Sequence, residues 1–156
     1  MTQNLNYNAA GSLCYDDNTA NCDKYGRLYD WNTALTVAPD GWHLPSNEEW
    51  TTLTDFLGGI SVAGGAMKDK TTWSQPNVGA TNSSGFSGLP GGNCYKSGSG
   101  IYLFNYKGDY GYWWSSTEYN LNPLDAWCRN LGYGNTLVNE GFPNKTQMYS
   151  IRCIKN

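Results

Sequence analysis

The sequence predicts an α+β fold, with helices early, short strands late and long loops between them. Three observations carry that reading. Residues 46–57 hold a capping signature followed by apolar residues at helical spacing, the segments around 110–116 and 127–133 alternate as strands do, and residues 58–100 show almost no period at all. No repeat or linker divides the 156 residues, a length that suits one domain.

Composition narrows the class further. Aromatic residues make up 15% of the chain, with 7 Trp and 12 Tyr, and charged residues also make up only 15%. Such a chain has ample large apolar surface to bury, so disorder is excluded. A formal net charge of -3 leaves no basic footprint for nucleic acid, and no apolar run approaches the ~20 residues of a membrane span. The opening MTQNLNYNAAG has neither a basic start nor an apolar stretch of the signal-peptide kind.

Taken in order, Gly26 to Trp31 (GRLYDW) is expected as a short aromatic strand, after which Asn32 is expected to cap a short helix through Thr33, Ala34 and Leu35. Ser46 and Glu49 then form a capping box, and Trp50, Leu53, Phe56 and Leu57 give the following helix its apolar stripe until Gly58 and Gly59 stop it. From Gly58 to Gly100 the chain reads as long loops pinned by Met67, Trp73, Phe86 and Leu89. Tyr110 to Ser116 is a strand, and the closing YSIRCIKN is another. Between them Trp127, Arg129, Leu131 and Tyr133 alternate with Cys128, Asn130, Gly132 and Gly134, which places the large set on a packed face and the small set on an open one.

Five cysteines are too few for a disulfide scaffold, and their odd number leaves at least one unpaired. Cys14 and Cys22 flank a short polar loop and are expected to bond, with Cys128 an accessible thiol on the open face. A metal site is not expected, because no pair has C-x-x-C spacing and His43 is the only histidine. His43 has no Ser, Cys or carboxylate partner at a telling spacing, so a structural role is expected for it. Trp42, Trp50, Trp113 and Trp114 read as packing residues for the same kind of reason, since aromatics bury more area than other side chains.

Several stretches resemble one family. MTQNLNY, NCDKYGRLYDWNTA, GWHLPSNEEW, FSGLPGG, GYWWSSTEY and YSIRCIKN are similar, in that order, to the Fibrobacter succinogenes major paralogous domain, found in secreted or surface proteins of Bacteroidetes-type bacteria and their phages. GWHLPSNEEW also resembles the G-x-R-L-P-T-x-x-E-W signature of the formylglycine-generating enzymes. The resemblance implies a C-type lectin-like fold with two helices, a small twisted antiparallel sheet and long loops. Relatives often carry Cys-Pro where this chain has Ala38-Pro39, so a disulfide through that position cannot form and the state of Cys153 stays open, as does that of Cys94.

What the resemblance implies chemically is weighed residue by residue. The formylglycine-generating activity needs a close cysteine pair holding copper, whereas Cys128 and Cys153 lie far apart in sequence; no catalytic residue and no cofactor is therefore assigned. Gln75-Pro76-Asn77 resembles the sugar-binding tripeptide of classical C-type lectins, but the companion Trp-Asn-Asp is absent and ordinary turn residues are expected there.

The segment from Asn120 to Asn144 is the expected site. Asparagine recurs there at 120, 122, 130, 135, 139 and 144. The pattern resembles the variable segment of members of this family that are diversified by retroelements, in which Asn codons are rewritten at adenines. The expected ligand-binding residues are Asn122, Leu124, Asp125, Cys128, Asn130, Gly132, Gly134, Asn135, Leu137, Asn139, Phe142 and Asn144, against a frame of Ala126, Trp127, Arg129, Leu131 and Tyr133. The expected function is non-enzymatic ligand binding, of receptor or adhesin type, to a protein or glycan on a cell surface. Nucleic acid and membrane insertion are not expected, and the location expected is extracellular, on a cell surface or a phage virion. The alternative is a structural module of a larger bacterial surface protein, and an enzyme comes third.

Overall fold

The computed structural model describes residues 1–156. The class is α+β, with four short helices and several small antiparallel sheets. Strand β1 (Ser12–Leu13) pairs with β2 (Leu28–Tyr29), and between them lie a one-turn 3-10 segment and helix α1 (Thr19–Tyr25). The Cys14–Cys22 disulfide ties this hairpin to α1, with Cα atoms 5.0 Å apart. Helix α2 (Trp31–Ala34) follows at once. The strand expected over 26–31 is therefore only two residues long, and Asp30, not Asn32, caps the helix: its carboxylate accepts the Thr33 amide at 2.8 Å. Asp outcompetes its neighbour because a charged acceptor completes the free N–H more strongly.

Strand β3 (Trp42–His43) pairs with β9 (Ile154–Lys155), which closes the chain back on its first third. The terminal strand is shorter than expected: Ile151, Arg152 and Cys153 are buried and outside any ladder. Helix α3 (Asn47–Phe56) carries the capping box at Ser46 and Glu49, as its sequence predicts. Its stripe is narrower than the sequence suggests, because Trp50 is buried and Phe56 is 86% exposed.

The glycine-rich stretch holds more structure than its lack of period indicates. Helix α4 (Ala63–Met67) and strand β4 (Asn93–Lys96), paired with β5 (Tyr102–Asn105), both lie within or beside it. Helices α1 and α4, of seven and five residues, are too short to leave a periodic signal, so the structure has four helices where two were expected. In α4, a Cβ on Gly64 would stand 2.6 Å from the carbonyl oxygen of Leu137; glycine lets the helix press against that backbone.

The central sheet is β6 (Tyr110–Glu118), β7 (Ala126–Gly132) and β8 (Val138–Gly141), antiparallel in that order. Its register places Tyr112 opposite Asn130 and Trp114 opposite Cys128, with Asn139 opposite Asn130 and Glu140 opposite Arg129. Because side chains alternate, one face carries Tyr110, Tyr112, Trp114, Cys128, Asn130 and Asn139, and the other carries Trp113, Trp127, Arg129, Leu131, Val138 and Glu140. Both faces pack. Trp114 and Cys128 join Tyr29, Trp31, Leu44, Tyr149 and Ile151 in one apolar cluster, while Trp113, Leu131 and Val138 join Trp50, Met67 and Trp73 in another.

Candidate ligand surface

The alternation in β7 is present, but its expected consequence is only half realised. Cys128 is 2% exposed and lies beneath the first cluster. The expectation of an accessible thiol is therefore wrong. Burial pushes Cys128 up to about 12 and raises Cys153 as well, and both belong to the same cluster, so these are neutral, enclosed thiols. Cys94 is likewise free and buried. Gly132, expected on the open face, is covered by the ring of Tyr110: a Cβ there would stand 3.0 Å from Cε1. Trp127, expected to be core, is only half-buried and packs edge-on against Tyr119 and Phe142.

Where the first cluster ends, this face of the sheet opens. Asn130 and Asn139 are half-buried, and Asn139 Nδ2 donates to Asn130 Oδ1 at 3.1 Å. That bond leaves the Asn130 amide N–H groups and the Asn139 carbonyl oxygen facing outward with no protein partner. Beside them runs a row of tyrosines: Tyr106 is 54% exposed, its ring 5.5 Å from Tyr110, which stacks 6.0 Å from Tyr112, which in turn stacks 4.9 Å from Tyr149. Burial raises Tyr112 and Tyr149 far above the ordinary tyrosine value, so these two phenols keep their protons. Paired amides beside stacked phenols can bind through shape, stacking and neutral hydrogen bonds.

The twelve expected residues do not form one surface. Asn130 and Asn139 sit on this face. Gly134, Asn135 and Leu137 are exposed on the turn that joins β7 to β8. Asn122, Leu124, Asp125 and Asn144 lie at the other end of β7, about 20 Å away at ~3.3 Å per residue. There Asn122 Nδ2 donates to Asp125 Oδ2 at 2.7 Å, Asp125 bridges to Asn144, and Leu124 is 64% exposed. Phe142 faces the opposite side, stacked 4.0 Å from Tyr119. Tyr106, Tyr110 and Tyr112 were not among the expected residues. The alternation of Tyr110 and Tyr112 is visible in the sequence, but only the strand register shows that they share a face with Asn130.

Other polar groups are spent internally. His43 does have a carboxylate partner, contrary to its sequence reading: Nε2 lies 2.9 Å from Glu49 Oε1, and Nδ1 lies 2.6 Å from Asn156 Oδ1. The bonds to Asn156 and to Glu49 raise His43. Burial works to raise Glu49, but the Ser46 amide and His43 override it and hold the carboxyl below its usual value. The Arg129 guanidinium, 1% exposed, donates to Asn47 Oδ1 at 2.7 Å and pairs with Glu140 at 2.7 Å, tying the sheet to the start of α3. Asn77 is buried and donates to the carbonyls of Asp69 and Lys70, so it is turned away from any sugar. An apolar cleft of about 400 Å³ opens between Trp42, Trp50, Leu53, Phe86 and Ile154. Arg152 on its floor spends its N–H groups on Asn4 and on main-chain carbonyls.

A small α+β domain with packed sheet faces and a surface of tyrosine and asparagine side chains is thus defined. The chain belongs to the Fibrobacter succinogenes major domain family, which matches residues 1–155. No curated protein matches it and no solved structure does. No helix is long and apolar enough to cross a membrane.

Proposed function

We propose that this is a non-enzymatic ligand-binding domain of C-type lectin-like fold. Its contact surface is the face bearing Tyr106, Tyr110, Tyr112, Asn130 and Asn139, extended by the turn at Gly134, Asn135 and Leu137. The observation that carries the reading is the Asn130–Asn139 pair, whose outward donors and acceptor stand beside a row of tyrosines. Its partner is a protein or glycan on a cell surface, and the domain works outside the cell or on a virion. Tyrosine gives large contact area at low entropic cost, and asparagine supplies adaptable hydrogen bonds. The segment 120–144 is a stretch whose side chains are diversified on a fixed frame.

Two experiments test this. The immobilised domain is screened against arrays of glycans and of purified extracellular proteins, in parallel with the Asn130→Ala, Asn139→Ala double variant. A ligand retained by the wild type and lost by the variant supports the surface, and one bound equally by both places recognition elsewhere. Diversification is tested in the gene neighbourhood, where a reverse transcriptase and an imperfect copy of the last third of the gene are expected.

A further inference from the structure

Lys68 immediately follows α4 and is fully buried, yet it has no ion-pair partner. Its neighbour Asp69 spends its carboxylate on Thr71 and Thr72. Instead, Lys68 Nζ donates to three main-chain carbonyls from three places: Val78 at 2.8 Å, Gly132 at 3.0 Å and Asn135 at 2.7 Å. The ring of Trp73 lies 5.7 Å from the nitrogen. An ammonium has three N–H groups, and each has an acceptor. Burial pulls Lys68 down to about 8, which leaves it charged at neutral pH. An uncompensated buried cation is costly, so the group is tolerated only where carbonyl dipoles gather around it.

Apart from Asn135 Oδ1, which accepts the Leu137 amide at 2.9 Å in a local bond that a serine hydroxyl can also supply, the rest of the turn is held in the same manner. The Gly64 amide donates to Thr136 O at 2.9 Å, Val138 to Ile60 O at 2.8 Å, Tyr133 to Asp109 O at 3.0 Å and Val78 to Tyr133 O at 2.8 Å. Among residues 134–137 only Thr136 reaches outside the turn with its side chain, donating to Ser61 O at 2.9 Å. A main-chain carbonyl is supplied by every amino acid and a main-chain N–H by every one but proline, whatever the side chain.

We propose that Lys68 is a positioning residue, a built-in cation that clamps the turn from Gly132 to Leu137 through its main chain. The side chains at 134, 135 and 137 can then change without moving the backbone that presents them. The proposal deepens the ligand-surface reading and rests on it for its purpose. The clamp itself is read without any ligand, so the two can fail separately.

The test is amide hydrogen exchange on the whole domain. In Lys68→Met, exchange of the Gly64, Val78, Tyr133 and Val138 amides should quicken at least tenfold, while the Tyr29 and Trp114 amides, bonded to Tyr149 and Ser150, stay as slow as in the wild type. In Lys68→Ala, millimolar n-propylammonium should restore slow exchange at the first set and tetramethylammonium, with no N–H, should not. The combined Gly134→Ser, Asn135→Ser, Leu137→Ser variant should keep the wild-type pattern. Unchanged exchange in Lys68→Met, global unfolding of that variant, or loss of protection in the triple-serine variant would each overturn the clamp.

Discussion

The start of α3 and the turn between β7 and β8 are both fixed against the central sheet, but by different atoms. At α3, side chains do the holding: Ser46 and Glu49 complete each other's amides, His43 bonds Glu49, and Arg129 reaches across to Asn47 and Glu140. At the turn, the main chain is held by Lys68 and by neighbouring amides, and the side chains of Asn135 and Leu137 face solvent. Where side chains carry the contacts, the amino acid is specified by the fold. Where the main chain carries them, it is left open, and that is the property a recognition surface needs.

The comparison breaks most visibly at Trp50. It is 2% exposed and packs against Phe86 with a ring separation of 5.8 Å, so Trp50→Ala should cost ~3–5 kcal/mol in urea unfolding. Leu137→Ser, at a residue 41% exposed, should stay within about 1 kcal/mol. Equal midpoints for the two variants would erase the distinction.

Arg129→Met should fall between them. It removes the bonds to Asn47 and Thr51 and leaves Glu140 unpaired. Glu140 is 40% exposed and can turn to water, so the cost should be about 2 kcal/mol, below the ~3–5 kcal/mol of a wholly buried pair. A loss under about 0.5 kcal/mol would mean that the guanidinium merely fills space.

The smallest effect is the pH response at α3. His43 is raised on folding, so its contribution is complete below its ordinary value of 6.5 and is lost as pH rises through the folded value. Glu49 is lowered, so its contribution is present above its ordinary 4.5 and is lost as pH falls through the folded value. The melting temperature should therefore peak between these, at about pH 5–6, and His43→Gln should flatten the alkaline side. Both groups are over a third exposed, so solvent screening limits the change to about a degree.

How far the sequence disclosed this architecture depended on whether the signal was local. The capping box at Ser46 and Glu49 and the Cys14–Cys22 bond are short-range patterns, and both are present. The alternation in β7 was visible too, but alternation shows only that two faces exist. That both are covered at Cys128, by α2 and the closing segment on one side and the helices on the other, depends on long-range packing. The same applies to His43 and Glu49, six residues apart on different elements, and to Lys68, which nothing in its own stretch distinguishes from a surface lysine. The separation of Leu124 from Asn130 followed from strand length and register, which a run of asparagines does not encode.

The central claim is that the fold fixes a frame and leaves a surface open. Its most direct test is a pair of displayed libraries scored for protease resistance. One randomises Asn130, Gly134, Asn135, Leu137 and Asn139, and the other randomises Ser46, Glu49, Trp50, Lys68 and Arg129. The account predicts that most members of the first library resist proteolysis as the wild type does and that nearly all members of the second do not. Similar losses in the two libraries would contradict it.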